Sequence, residues 1–150
     1  HSAHAAQAQA ERAITTLRDS VREIHPAVLT DHGLNAAIEE LAERHPTPVT
    51  LNLAPSGSLP PVIETAAYYL VSEALTNITK HADPTTIEIH THTSSRNFTV
   101  TVTDDGNGGA DAQFGRGLSG LRERAEALNG QFDVRSPTGG PTVLHMQIPR

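Results

Sequence analysis

Short segments of this 150-residue sequence alternate between apolar and polar residues, and that alternation constrains the fold more than any other feature. In 85–93, Ile87 and Ile89 occupy one face and the intervening polar residues occupy the other. The segment 97–104 repeats the pattern with a phenylalanine and two valines. Because successive side chains of a strand point to opposite sides, each strand would have one face for a core and one for water. The sequence therefore predicts a sheet that is covered on one face only.

Three other segments carry apolar residues at the spacing of a helix. The longest is 60–82, in which Pro61 suits the first helical position. A shorter helix is predicted with Asp31 as its N-cap and an end before Pro46. The third begins at Leu118, and the Asn-Gly pair at its end is a helix C-cap signal.

Further strands are predicted at 49–54, 131–136 and 141–148. Together, the helices and the one-sided strands predict an α+β fold. We expect a two-layer sandwich in which helices cover one face of a mixed, mostly antiparallel sheet.

An additional helix is predicted ahead of this domain. Its apolar residues are spaced alternately four and three apart, which is the a/d seam of a helix packed on partner helices. Pro26 would end it. Either the partner helix lies in another chain or another copy, or this is an ordinary helix lying on the domain. The seam residues are Ala10, Ile14, Leu17, Val21 and Ile24.

Composition excludes several classes of protein. The absence of cysteine excludes disulfides and thiolate metal sites and fits a reducing compartment. The formal net charge of −6 argues against a nucleic-acid-binding surface. No apolar run approaches the length needed to span a bilayer, so we expect no contact with membrane.

One side of the 60–82 helix carries an acid, an amide and a cation. Glu73, Asn77 and Lys80 are four and then three residues apart, so their side chains line up along the helix. The amide offers a neutral oxygen of the kind that Mg²⁺ accepts beside phosphate. Lys80 could neutralise phosphate charge.

Glycines are concentrated after the strand 97–104. The run GRGLSG (115–120) matches G-x-G-x-x-G, but a dinucleotide site requires a buried strand running into its first glycine. Here the preceding residues, GADAQF, are polar and carry no strand pattern, and the protein-kinase glycine loop is disfavoured in a similar way. Another interpretation joins distant pieces. Asp104 at a strand end could accept a hydrogen bond from an exocyclic amine, and the helix beginning after Gly117 could direct free N–H groups at phosphate.

Several segments in this order resemble a known family. SEALTNITKHA (72–82), TDDGNGG (103–109) and GRGLSGLRERAEALNG (115–130) resemble the N box and two glycine boxes of the GHKL ATP-binding domain. The version is that of bacterial sensor histidine kinases paired with NarL-type response regulators. REIHPAVLTDHGLNAAIEELA (22–42) resembles the end of their second dimerisation helix and its junction with the catalytic domain.

The resemblance implies a Bergerat fold, with the end of the dimerisation region in 1–32 and the ATP-binding catalytic domain in 33–150. ATP would lie between the long helix and a lid at about 107–117. Asn77 would be the Mg²⁺ ligand, and Asp104 would recognise adenine. Other implied contacts of ATP are Lys80 and His81 at the phosphates, Gly106 and Gly108 below the base, Gly115, Gly117 and Leu118 in the lid and phosphate-binding turn, and Thr142 near the adenine. In GHKL ATPases such as gyrase, the acid at the position of Glu73 activates water. The resemblance leaves the role of Glu73 in this chain open.

The implied function is transfer of the γ-phosphoryl of ATP to a histidine on a dimerisation helix, for relay to a NarL-type response regulator. The family's phosphoacceptor stretch is not found in this sequence, and His25 precedes a helix-ending proline, so we expect His25 to be structural. The parent would be a homodimeric, cytoplasmic or membrane-bound kinase with this part in the cytoplasm. Two alternatives stay open: a GHKL module that is not a histidine kinase, such as an anti-sigma-type serine kinase or an ATPase switch, and a degenerate module that only binds a partner. His90 and His92 could form a metal pair on one strand, although a solvated sheet face is the simpler interpretation.

Overall fold

A computed structural model of the chain describes residues 27–55, 59–81, 84–106 and 115–150; for 79–81 and 115–117 it describes the backbone. The predicted a/d-seam helix between Ala10 and Ile24 lies outside these residues. The described residues form three helices and five strands. In chain order they are α1 (Ala27–Arg44), β1 (Val49–Asn52), α2 (Pro61–His81), β2 (Ile87–Thr93), β3 (Asn97–Asp104), α3 (Gly115–Ala127), β4 (Gln131–Arg135) and β5 (Thr142–Pro149).

The five strands form one sheet in the order β1-β2-β3-β5-β4. Strands β1 and β2 are parallel, and every other neighbouring pair is antiparallel. The parallel pair requires a crossover connection, which α2 provides. The prediction of a mixed, mostly antiparallel sheet is therefore confirmed.

The core lies between one face of the sheet and the helices. Along β3 the buried apolar residues are Phe98, Val100 and Val102, and the threonines between them face the open side. Helix α2 covers this face with a stripe that includes several fully buried alanines, whose small side chains allow close packing on the sheet. The predicted two-layer sandwich, covered on one face, is confirmed.

Helix α1 begins earlier than predicted and is broken. It begins at Ala27 rather than after Asp31, and Gly33 interrupts it with φ 88° and ψ 176°. Asp31 is exposed within the first segment and is not the N-cap. The early start has a packing cause, because Leu29 is 2% exposed and belongs to the main core. The positive φ at the break is accessible to glycine at little cost.

Strand β1 is two residues shorter than predicted because Ala54 is bonded to side chains instead of a strand. The Nδ2 of Asn35 donates to the Ala54 carbonyl at 2.8 Å. The Ala54 amide donates to Oγ1 of Thr91 at 2.7 Å. These two bonds connect α1, the end of β1 and β2 beside the helix break.

Helix α3 ends at the predicted Asn-Gly pair, with different roles for the two residues. Asn129 has φ 61°, and Gly130 donates its amide to the Ala125 carbonyl at 2.8 Å, as in a Schellman motif. Gly130 is needed for space, because a Cβ there would lie 2.5 Å from the carbonyl oxygen of Gln147.

Candidate functional site

The connections of the fold bring three element ends to one end of the sheet. Helix α2 runs from the end of β1 to the start of β2, so its last turns lie near Ile87. In the sheet, Ile87 pairs with Asp104, the last residue of β3, and Asp104 pairs with Thr142, the first residue of β5. Helix α3 links β3 to β4, which runs in the same direction as β3, so its first turn lies at this same end. The predicted ATP contacts on α2, β3, α3 and β5 therefore share one end of the domain.

Asp104 is a buried carboxylate at the centre of this end. It continues the row of core-facing residues of β3 and is only 2% exposed. Its Oδ1 accepts a hydrogen bond from the Gly106 amide at 2.8 Å, and its Oδ2 has no partner among the described residues. Burial raises the pKa of the Asp104 carboxyl, an effect that the Gly106 bond opposes and the charge of Asp105 reinforces. Because the Gly106 bond fixes the other oxygen, Oδ2 is an acceptor on a buried side chain whose orientation is set.

Two hydroxyl groups lie beside this carboxylate. Thr142 is opposite Asp104 across the β3–β5 pair and is 3% exposed. Its Oγ1 lies 2.7 Å from Oγ of Ser136, which is also buried. The sequence indicated Thr142 but gave no site role to Ser136, which was predicted only as the last residue of the strand 131–136. Hydroxyls donate and accept, so the pair can serve a water or a polar edge of a bound base.

Asn77 is a buried amide without a described partner. The residue is 8% exposed, and its Nδ2 makes no hydrogen bond within the part of the chain that the structure describes. Buried polar groups are nearly always paired, so an unpaired one indicates a partner that arrives from elsewhere. The predicted acid, Glu73, lies one helical turn earlier and is half-buried. Lys80 and His81 belong to the last turn of α2.

The N-terminus of α3 begins within the second glycine cluster. The sequence predicted a helix beginning after Gly117, whereas the structure includes Gly115 and Gly117 in the first turn. Leu118 anchors that turn because it packs against the core. The amides of a first turn have no carbonyl partner within their helix, so they are available to an anion. Gly108, the remaining predicted contact, lies outside the described residues.

Asp105 was not assigned a role from the sequence, and the structure gives it one that differs from that of Asp104. Its Oδ1 accepts the amide N–H groups of Thr85 at 2.8 Å and Thr86 at 2.9 Å. Its Oδ2 accepts the hydroxyl of Thr85. The Thr85 hydroxyl bond and then the backbone bonds lower the pKa of the Asp105 carboxyl to about 2.

A metal ion at this end would meet an amide rather than a cluster of acids or imidazoles. Within the described ranges, no group of three or more His, Cys, Asp or Glu residues could hold a metal ion. His90 and His92 lie on the open face of β2 and gain no third ligand there. Mg²⁺ is commonly held by one or two protein oxygens together with phosphate and water, and Asn77 fits that donor set.

A surface groove of about 600 Å³ lies along the edge strand β1, away from these residues. Its floor includes Val49, Leu51 and Leu53, and α1 contributes Glu39 and Glu43 to its wall. Both glutamates are exposed, and their charge would repel a polyphosphate. We therefore assign no nucleotide to this groove.

Comparison with known proteins identifies related sequences. Residues 63–150 match the family described as histidine kinase-, DNA gyrase B-, and HSP90-like ATPase. The sensor histidine kinase YxjM of Bacillus subtilis (strain 168) is 34% identical over 111 residues, which are 71% of this chain and 27% of that protein. The chain thus spans about a quarter of the length of this curated relative.

Solved structures share the fold. The Erythrobacter litoralis EL346 blue-light activated histidine kinase superposes with a TM-score of 0.61 at 25% identity, covering 77% of this chain and 39% of that one. The Acinetobacter baumannii histidine kinase AdeS superposes with a TM-score of 0.62 at 13% identity, covering 92% of this chain and 79% of that one. None of the helices in the described ranges combines the length and apolarity needed to cross a bilayer.

Proposed function

This chain belongs to the family of histidine kinase-, DNA gyrase B-, and HSP90-like ATPases, and on that basis we propose that it is the catalytic ATP-binding part of a sensor histidine kinase. Residues 33–150 would form the catalytic domain, and 1–32 the end of the dimerisation region. In its homodimeric parent it transfers the γ-phosphoryl of ATP to a histidine of the dimerisation helix. That histidine passes the phosphoryl group to a NarL-type response regulator. Because ATP is the substrate, we place this part of the parent in the cytoplasm.

The observation that carries the proposal is a pair of unmatched polar groups at one end of the core. Oδ2 of Asp104 and Nδ2 of Asn77 have no partner among the described residues, although both residues are buried. A folded domain tolerates such groups where a ligand completes them. The acceptor suits the amino group of adenine, and the Nδ2 donor of Asn77 suits an oxygen of the triphosphate.

The described geometry supports a direction for ATP in the site. The adenine amino group donates to Asp104, with the Thr142 and Ser136 hydroxyls beside it. The triphosphate lies toward the first turn of α3, whose free amides complement its charge. By the family resemblance, Gly106 and Gly108 would lie below the base. Lys80, His81, Gly115, Gly117 and Leu118 lie on the segments that would border the phosphates.

Asn77 would hold Mg²⁺ through its amide oxygen, and we place Glu73 beside the waters of that ion. When bound, the ion supplies charge neutralisation at the phosphates. In phosphoryl transfer the bond from the γ-phosphorus to the ADP oxygen breaks and a bond to an imidazole nitrogen forms. The protein contributes mainly by positioning and by electrostatic stabilisation. The isolated chain should therefore bind nucleotide but release phosphate slowly.

Nucleotide binding by matched variants tests the proposal. Asp104→Ala should weaken adenosine, ADP and ATP alike, because it removes the acceptor for the base. Asn77→Ala should remove mainly the Mg²⁺-dependent part of ATP affinity. Asp133→Ala and Asn52→Ala, which alter exposed residues of the sheet, serve as controls. If both site variants bind like the wild type, the site assignment is wrong.

Assays of the wild-type chain distinguish the proposed function from the alternative functions. Rapid phosphate release without an acceptor would indicate an ATPase. Phosphorylation of serine in an added peptide would indicate a serine kinase, and a lack of any Mg-ATP binding would indicate a partner-binding module.

A further inference from the structure

We propose that Asp105 is a positioning residue that fixes the distance between the adenine-binding and phosphate-binding halves of the nucleotide site. The inference rests on the proposed function, because it concerns how that site is held together. Asp105 would touch neither the base nor the phosphates. It would act through the two segments that it joins.

The contacts of Asp105 all reach the same short segment. Its carboxylate accepts three hydrogen bonds, from the amides of Thr85 and Thr86 and from the hydroxyl of Thr85. Its own amide donates to the Thr86 carbonyl at 3.3 Å. The side chain and main chain of one residue thus hold both residues that lead into β2.

This segment is the connection between the two halves of the site. Residues 82–86 link the end of α2, which carries Asn77, to Ile87, which pairs with Asp104. Asp105 directly follows Asp104, and so it binds the last two residues of that link to the adenine side. These bonds add to the strand pairing of Ile87 with Asp104 and to helix packing in setting the position of α2 relative to Asp104.

The two adjacent carboxylates have divided roles. One oxygen of Asp104 accepts a hydrogen bond from the Gly106 amide, and the other has no partner among the described residues. Both oxygens of Asp105 accept hydrogen bonds from described residues of the chain. Asp105 is ionised at neutral pH, as an aspartate with an ordinary pKa would be, and hydrogen bonds to a charged acceptor are stronger than neutral ones. Asp105 is exposed, so solvent screening weakens its contribution to global stability, and we expect its main effect to be local.

The affinity for a ligand that spans both halves should depend on this positioning more than the affinity for a ligand that occupies one half. Two contacts of one ligand reinforce each other only when their spacing matches that of the ligand. Asp105→Ala should therefore lower the affinity for Mg-ATP by about tenfold, the equivalent of one charged hydrogen bond. Affinity for adenosine, which meets only the adenine half, should stay within about twofold by the same reasoning.

The conservative variant should restore the function. Asp105→Asn retains an oxygen for both amides, and its nitrogen can face the Thr85 hydroxyl, so Mg-ATP affinity should return to within about threefold of the wild type. Asp133→Ala, which removes an exposed carboxylate from β4, is the matched control and should bind both ligands normally. If Asp105→Ala does not fold, Asp105→Glu replaces it, because glutamate keeps the charge but displaces the carboxylate. Asp105→Glu should show the same loss of Mg-ATP affinity and bind adenosine normally.

The experiment is titration calorimetry of the 150-residue chain with adenosine and with Mg-ATP, with circular dichroism confirming that each variant is folded. Selective loss of Mg-ATP affinity, rescued by asparagine, supports the proposal. Unchanged Mg-ATP affinity, or an equal loss for adenosine, overturns it while leaving the proposed function intact. If the wild type binds neither ligand, the proposed function itself fails, and this inference fails with it.

Discussion

The free oxygen of Asp104 allows a prediction that separates recognition of the base from general damage. In Asp104→Asn, the oxygen of the amide should remain on the Gly106 N–H, which can bond only to an acceptor. The amide nitrogen then occupies the place of Oδ2. A donor would face the amino group of adenine where the wild type has a charged acceptor.

The size of the effect follows from the bond that is lost. A hydrogen bond to a charged group contributes about 1.5–3 kcal/mol, so ATP affinity should fall roughly 10- to 150-fold. The variant should fold as well as the wild type or better, because burial opposes the charged form of Asp104. A loss of affinity would therefore not reflect unfolding.

The assay is competition binding with ATP and with purine riboside triphosphate, which lacks the amino group. The wild type should bind the analogue roughly 10- to 150-fold more weakly than ATP, and the variant should discriminate little between them. Asp133→Asn, an equivalent change on the open face of the sheet, should discriminate as the wild type does. If Asp104→Asn weakens both ligands equally, Asp104 does not contact the amino group.

Three further predictions concern stability, each measured by chemical denaturation. Gly130→Ala should lower the free energy of unfolding by about 1–3 kcal/mol, because its Cβ would lie 2.5 Å from a carbonyl oxygen of β5. Gly120→Ala, whose Cβ would meet no atom within 4 Å, should raise it by about 0.5–1 kcal/mol. Because the pKa of Asp105 falls from 3.8 to about 2 on folding, its stabilisation is present above the unfolded pKa and is lost as pH falls toward 2. Asp105→Asn should therefore lose stability less steeply than the wild type across this range, and equal slopes would contradict the pKa argument. Asn35→Ala should destabilise by about 0.5–1.5 kcal/mol through loss of the bond to the Ala54 carbonyl, and an unchanged midpoint would show that water replaces it.

Local periodicity predicted most of the fold. The alternation of Ile87 and Ile89, and the broad apolar face of 60–82, depend on geometry within one element and need no knowledge of its neighbours. In the structure Asp104 has the same parity as Val100 and Val102 and is buried with them, whereas the sequence analysis placed it only at a strand end.

Contacts between distant residues could not be predicted in this way. Asp105 bonds to residues 19 and 20 positions earlier, and no local pattern reports which loop will lie opposite a carboxylate. The pairing of Ser136 with Thr142 likewise depends on how β4 and β5 lie in the sheet. The early start of α1 depends on the packing of Leu29 in the core. These features required the packed structure.

The burial of Leu29 has a mechanical consequence. It lies before the break at Gly33, on the side that we assign to the dimerisation region, yet it is packed in the core of the catalytic side. Removing a buried leucine from a core costs about 2–5 kcal/mol. A force that moves residues 27–32 away from the domain must therefore either extract the Leu29 side chain from the core or move the rest of the domain with it.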